Sequence, residues 1–271
     1  MSDISDSEIR GFLEAVYATY HHDFRGYAMA SLRRRLTFAM HRLGCGSVSA
    51  LRARLDAEPQ VFSEMLRYLT VQVSDMFRDP AFFRRMREHV VPFLRTYPLL
   101  RIWVAGCSSG EELYSIAILL AEESLLDRTT LYATDINPHA LRTAEDGVYP
   151  LERVAAFTEN HRLAGGKTSL SQYYTAAYGS AVFDRALRRN VVFADHSLAT
   201  DSVFAEVQVV SCRNVIIYFD QELQERALAV MKDSLCRRGF LGLGARESLQ
   251  FSKHGGAFEE LSRHDGWYQR C

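Results

Sequence analysis

The stretch Arg101–Ser115, RIWVAGCSSGEELYS, decides the fold. Ile102, Trp103 and Val104 form a short apolar run suited to a buried strand. The residues from Ala105 to Gly110 make a turn of small side chains. From Glu111 onward Leu113, Ile116, Ala117 and Leu120 recur at spacings of three and four, which predicts a helix. Strand, glycine-rich turn and helix in succession build a nucleotide-type site. Glycine lets the backbone approach a ligand closely, and the helix start points unpaired N–H groups at it. An ordinary βα turn with glutamates at the helix start is the plainer alternative.

The turn differs from the common phosphate binders. It is neither G-x-G-x-x-G nor a P-loop, and it carries two carboxylates, Glu111 and Glu112, at the helix start. Carboxylates suit the helix dipole there but would repel a pyrophosphate. That disfavours a dinucleotide and favours a ligand with positive charge and no phosphate, such as S-adenosylmethionine.

Downstream, Leu131–Asp135 predicts a second strand with Asp135 at its end, where an acid commonly bonds ribose hydroxyls. Asn137-Pro138 starts a helix that ends at Gly147. Between about 150 and 190 the strand–helix rhythm breaks, and Ser171–Ala176 with Ser180–Phe183 predicts a short hairpin in a small insert. Regular folding resumes with Val191–Phe193 running to Ser197-Leu198, then Val207–Ser211 running to Arg213-Asn214. Asp220 caps a long amphipathic helix, Phe240–Gly244 is a further strand, and Trp267–Arg270 is the last. Alternating strands and helices predict a mostly parallel, doubly wound α/β sheet. Ligands bind such sheets outside the carboxyl ends of the strands, where Gly106, Asp135, Ser197 and Arg213-Asn214 all fall.

Upstream, residues 1–70 predict an all-helical bundle. Its first helix carries a capping box at Ser5-x-x-Glu8, and its second runs from about Ala28 to Leu43 with Arg33, Arg34 and Arg35. That cluster reads as a solvated face or as a docking surface for an acidic partner. Residues 71–98 lead into the core, with Asp79 as cap and Pro80 as first residue of a helix. The 271-residue chain thus divides into a helical part (1–70), a linker and helix (71–98) and an α/β domain (99–271) with its insert at about 157–190.

The remaining composition mostly excludes. A net charge of −1 argues against non-specific nucleic-acid binding. No apolar run is long enough to insert in a membrane, and MSDISDSEIR at the start reads as no signal peptide. Five scattered cysteines without C-x-x-C spacing suit a reducing cytoplasm, and the histidines show no metal-binding spacing.

Taken together, VSDMFRDP (73–80), AGCSSGEELYSIAI (105–118), ATDINPHALRTAEDGVY (133–149), FADHSL (193–198) and CRNVIIYFD (212–220) resemble the CheR-type protein-glutamate O-methyltransferases, which methylate chemotaxis receptors. The resemblance implies a helical N-terminal domain joined to a class I methyltransferase domain with a small β-subdomain. It implies S-adenosylmethionine contacts from Gln72, Ser74, Arg78, Glu112, Asp135, Ser197, Leu198, Arg213 and Asn214, to which the glycine-rich turn adds Gly106. It also implies a substrate of receptor helices bearing glutamates, met by Arg33, Arg34 and Arg35. The candidates for orienting the reaction are Arg78, which could hold the substrate carboxylate or the cofactor's own, and Tyr218, which could donate to the substrate. The expected protein is a cytoplasmic monomer in a chemotaxis-type pathway. Gln72 and Ser197 stand where the family commonly has Asn, and Gly244–Glu247 reads GARE where the family has a GHSE-like turn.

Methyl transfer to a carboxylate needs no general base, because a glutamate with a pKa of about 4.3 is already ionised near neutrality. No His-Asp or Cys-His pair is therefore expected. The rival readings are a methyltransferase for small molecules or nucleic acid, for which the N/D-P-P-Y motif is missing, and a module that binds S-adenosylmethionine and signals without turnover.

Overall fold

The computed structural model describes residues 4–261 and 266–271. The first three residues of the acidic N-terminal stretch lie outside the described residues. Four helices open the chain: α1 (Asp6–Tyr20), α2 (Met29–Arg42), α3 (Val48–Ala57) and α4 (Val61–Leu69). Ser5 and Glu8 form the expected capping box on α1. Ile9, Phe12, Leu13 and Val16 of α1 pack with Leu32, Leu36 and Met40 of α2 and Met65 and Leu66 of α4 in one apolar core.

The linker enters α5 (Pro80–Arg85), passes through a π-turn (Met86–Val90) and continues as α6 (Val91–Leu94). The wide turn has a local cause. Pro92 has no N–H to offer the Glu88 carbonyl, and the Val91 N–H bonds back five residues to Met86. Asp79 does not cap α5 as the sequence predicts. It adopts a left-handed conformation and makes no capping bond, because Arg213 holds its carboxylate. Pro80 is at the helix start as expected.

The α/β domain then runs β1 (Leu100–Ala105), α7 (Glu111–Glu122), β2 (Thr129–Asp135), α8 (Pro138–Asp146), β3 (Val148–Pro150), α9 (Val154–Leu163), β4 (Tyr174–Ala177), β5 (Ser180–Phe183), β6 (Val191–Asp195), β7 (Val207–Cys212), α10 (Gln221–Ser234), β8 (Leu235–Leu243), β9 (Phe258–Glu260) and β10 (Trp267–Arg270). Seven strands make one sheet in the order β6-β2-β1-β7-β8-β10-β9. The pairs β6/β2, β2/β1, β1/β7 and β7/β8 are parallel, while β10 lies antiparallel to both β8 and β9. The central strand β1 is buried on both faces except at Arg101, which explains its unbroken apolar run.

One face of β1 packs with α7, the other with α10. Leu113 to Leu120 of α7 are all buried, as expected of a helix with neighbours on every side. Trp103 is fully buried and its indole N–H donates to Thr134 Oγ1 at 2.8 Å, so its large apolar surface is covered without an unpaired donor. Trp267 of β10 stacks on Phe82 at 4.4 Å and donates to the Phe82 carbonyl, which fastens the C-terminal strand to the linker helix.

The insert departs from the expected hairpin in two ways. Ser171–Tyr173 is a 3-10 turn, so β4 starts at Tyr174. A third strand, β3, pairs with β5, giving a sheet of order β3-β5-β4. β3 is only three residues long and directly follows Gly147, too short for alternation to reveal it.

The helical bundle meets the α/β domain at a tight joint. Ala28 N–H donates to the Tyr218 carbonyl (2.8 Å) and Asp220 N–H to the Gly26 carbonyl (2.7 Å). A side chain on Gly26 would meet Leu223 at 2.9 Å, so glycine permits this approach.

Candidate active site

The carboxyl ends of β1, β2, β6 and β7 open into a cleft of about 990 Å³, open solvent at its mouth included. Every residue expected to contact the cofactor or align the substrate lines this cleft: Gln72, Ser74, Arg78, Gly106, Glu112, Asp135, Ser197, Leu198, Arg213, Asn214 and Tyr218. Arg33, Arg34 and Arg35 are not among its lining residues.

The glycine-rich turn forms the floor. Gly106 has φ +69°, and a Cβ there would lie 2.5 Å from Val215 Cγ2. The two helix-start glutamates part company. Glu111 is buried, accepts from Ser109 Oγ and Arg153 Nη1 at 2.7 Å each, and does not line the cleft. Glu112 does line it. Its carboxylate accepts from Ser211 Oγ (2.6 Å) and Arg213 Nη1 (3.0 Å). Arg213 is almost wholly buried. It bonds Glu112, Asp79 and the Arg78 carbonyl, and its guanidinium lies 4.1 Å from the Phe82 ring centroid. It therefore fixes the cleft wall from behind.

Asp135 closes the β2 side. One carboxylate oxygen accepts from the Ser108 N–H (2.8 Å) and the other from the Asn137 N–H (2.9 Å). Burial pushes its pKa above the ordinary value, although these backbone donors oppose the shift. Gln72 spans the mouth, accepting from Ser108 Oγ at 2.7 Å and donating to Thr70 Oγ1 at 3.0 Å. Ser197 Oγ accepts from the Ala199 N–H, and Leu198 adds a buried apolar surface.

Arg78 could have been neutralised by Asp75 or Asp79 beside it in sequence. Instead Asp75 is taken by Arg153 and Asp79 by Arg213, while Arg78 Nη1 contacts the Val73 carbonyl at 3.3 Å. Tyr218 lies in a 3-10 turn, its main chain held by Ala28 and Val215. Among the described residues, the non-glycine residues Phe77, Asp79, Ser108 and Asn214 all adopt left-handed backbone conformations around this cleft. Strain of this kind persists where surrounding structure over-determines it. Phe77 N–H, for one, is pinned to Ser115 Oγ at 2.7 Å.

Several contributors escaped sequence reasoning. Tyr27 and Ser31 reach the cleft from the helical bundle, so the wall is shared between the two parts of the chain. Glu247, of the GARE turn, is buried and accepts from the N–H groups of Gly244 (2.7 Å), Asn214 (2.8 Å) and Val215 (2.9 Å). It holds the turn that carries Asn214, and burial raises its pKa. The glutamate at the end of GARE was a usable signal. For Tyr27 there was none, since only tertiary packing brings it near Asp135.

The cleft suits S-adenosylmethionine by its donor set. Carboxylates on Asp135 and Glu112 match ribose hydroxyls and positive charge, and Leu198, Ile136 and Val215 offer apolar surface. Cys107 and Cys212 near the floor are buried with their thiols pushed well up by burial, so neither is a ready nucleophile.

Comparison with known proteins agrees. Residues 72–265 match the model described as CheR methyltransferase, SAM binding domain, and residues 7–70 match the CheR methyltransferase all-alpha domain. The chain belongs to the CheR methyltransferase family. It is 55% identical to the Cher3 protein of Pseudomonas putida, over 95% of this chain and 94% of that one. It is 32% identical to chemotaxis protein methyltransferase 2 of Pseudomonas aeruginosa, over 81% of this chain and 79% of the relative. It also matches an uncharacterised 104.1 kDa protein of Rhodobacter capsulatus at 31% identity over 84% of this chain, but only 24% of that longer protein. The cofactor of this family's binding domain is S-adenosylmethionine, and the seven-stranded sheet is its methyltransferase core. Among the described residues no helix is long and apolar enough to cross a membrane.

Proposed function

We propose that this CheR methyltransferase transfers a methyl group from S-adenosylmethionine to glutamate side chains of chemotaxis-type receptors, forming glutamyl methyl esters in the cytoplasm as part of receptor signalling. The observation that carries the reading is Arg78. It is a cation at the cleft whose neighbouring aspartates are already engaged by other arginines, so it keeps the capacity to meet an incoming carboxylate. The cofactor supplies an electrophilic methyl on a positively charged sulfur. The chain's own task is to exclude water and to align one carboxylate oxygen. A dry cleft favours the meeting of unlike charges. Arg78 and Tyr218 contribute alignment; a stronger clamp would stabilise the charged ground state and slow the reaction.

Arg33, Arg34 and Arg35 are proposed to steer the acidic receptor helix, with different roles. Arg33 is ion-paired with Asp6, Arg34 is exposed, and Arg35 is half-buried with its pKa lowered by burial and by Arg34. Charge reversal at Arg33 and Arg35 is expected to raise the receptor KM and leave cofactor affinity unchanged; unchanged kinetics would remove the steering role. The deciding experiment measures base-labile methyl incorporation into receptor preparations, with Arg78→Ala as control. Incorporation lost in the variant supports the reading. Cofactor binding without incorporation by the parent protein would replace it with a signalling module that does not turn over.

A further inference from the structure

Arg153 sits at the base of the insert, just ahead of α9, and no feature of the sequence motifs marks it. Its fork ties three segments that are distant in sequence. Nη1 donates to Glu111 Oε1 at 2.7 Å, while Nη2 donates to Asp75 Oδ1 at 2.9 Å and to the Ser74 carbonyl. Its guanidinium lies over the Phe157 ring, 4.8 Å from the centroid. Glu111 is buried and has no second cationic partner among the described contacts, so Arg153 compensates its charge. Burial of a charge is tolerated only when it is paired and hydrogen-bonded, which fixes the guanidinium in place.

What that fixed group holds is the wall of the cleft. Ser74 lines the cleft while its carbonyl is turned to Arg153, and Arg78 follows four residues later. The same linker receives a second tie from the insert, where Asn160 Nδ2 donates to the Met76 carbonyl at 3.1 Å. On the other side, Glu111 is adjacent to Glu112 at the start of α7. One arginine of the insert therefore spans both the linker wall and the helix that carries the acidic floor.

We propose that Arg153 is a positioning residue that couples the insert to the cofactor cleft, setting the place of Ser74 and Arg78 without touching the cofactor itself. A planar fork with several fixed donors can hold both partners at once; a lysine ammonium is a single point charge and cannot reproduce that geometry. By reciprocity, a partner that binds the insert and changes cofactor affinity by some factor has its own affinity changed by the same factor when cofactor binds.

The proposal rests on the cleft being the cofactor site, and the test separates the two. Arg153→Lys keeps the charge that Glu111 needs, and Asp75→Ala cuts one of the two linker ties and leaves the one to the Ser74 carbonyl, so neither leaves a buried charge unpaired. Titration with S-adenosylhomocysteine is expected to show binding about 2- to 30-fold weaker in Arg153→Lys, and a smaller loss in the same direction in Asp75→Ala. Hydrogen exchange is expected to speed up at amides 73–78 and to stay at parent rates in β1, β2 and β7. The double variant is expected to lose less than the sum of the two. Parent-like binding and exchange in both variants would overturn the proposal, as would exchange that rises throughout the sheet, since that is loss of general stability. Asp135→Asn serves as control: unchanged binding there would overturn the cleft assignment itself.

Discussion

Gly106→Ala tests the geometry of the cleft floor. At φ +69° an L-residue costs about 1–2 kcal/mol more than glycine. The added Cβ would also lie 2.5 Å from Val215 Cγ2 and 3.3 Å from Cγ1, well inside contact distance. The Val215 main chain is held through its N–H by the buried Glu247 carboxylate at 2.9 Å, so any relief must come from its side chain. Overpacking of this kind costs about 1–3 kcal/mol. The two contributions together give a loss of about 2–5 kcal/mol, read as a lower midpoint in urea unfolding. Titration with S-adenosylhomocysteine should show weakened binding as well, since Gly106, Asn214 and Val215 all line the cleft. Adding Val215→Ala should relieve the overlap but not the backbone cost, so a double-mutant cycle should return a favourable coupling of about 1–3 kcal/mol. Unfolding of Gly106→Ala within about 0.5 kcal/mol of the parent, with normal cofactor binding, would exclude both the backbone cost and the clash. A cycle with no coupling refutes the clash alone.

Tyr218→Phe should lower kcat by about 10- to 100-fold through lost alignment while S-adenosylhomocysteine affinity holds; an equal loss in both would make Tyr218 a cofactor contact. Asp135 has a folded pKa raised by burial, so its ionisation costs stability that is lost as pH rises from the ordinary carboxylate range through the raised value. Asp135→Asn removes that titration but leaves one of the two backbone N–H donors without its acceptor. The variant's stability should therefore stop falling as pH rises through the carboxylate range, while cofactor affinity falls by about 10- to 150-fold; a pH dependence equal to the parent's would contradict the sign. Glu122 is the opposite case. Burial would raise its pKa, but the bond to His161 and the charge of Arg87 hold it at about 2. Its stabilisation is complete above the ordinary value and lost as pH falls from about 4.5 toward 2, a change of about 3 kcal/mol across an acid titration of unfolding. Glu122→Gln should flatten that acid limb, and an unaltered limb would show that other carboxylates set it.

Much of this protein is local in its sequence. The strand Ile102–Val104, the turn at Gly106 and the α7 periodicity follow from short-range patterns, as do the Ser5–Glu8 capping box and the Pro80 helix start. These depend on backbone sterics and on burial of one face, which a few neighbouring residues determine. Strand ends could likewise be named in order, because parallel sheets gather them on one rim.

The structure alone decided how charges were shared. The sequence made Asp79 a helix cap, yet Arg213, 134 residues away, takes its carboxylate. Its local pattern did not separate Glu111 from Glu112, and the family resemblance chose Glu112; α7 turns the first toward Arg153 and the second toward the cleft. It grouped Arg33, Arg34 and Arg35, although successive residues on a helix point in different directions. Hence Arg33 meets Asp6, Arg34 is exposed and Arg35 is half-buried. Tyr27 and Arg153 reach the site's neighbourhood from other parts of the chain. The physical reason is the same in each case. An ion pair is decided by which opposite charge lies within a few ångströms after folding, and chain distance carries no record of that. The sequence by itself determined the sheet and the acidic, glycine-rich turn. Only the tertiary structure determined that Arg153 takes Glu111 and Asp75 and that Arg213 takes Glu112 and Asp79.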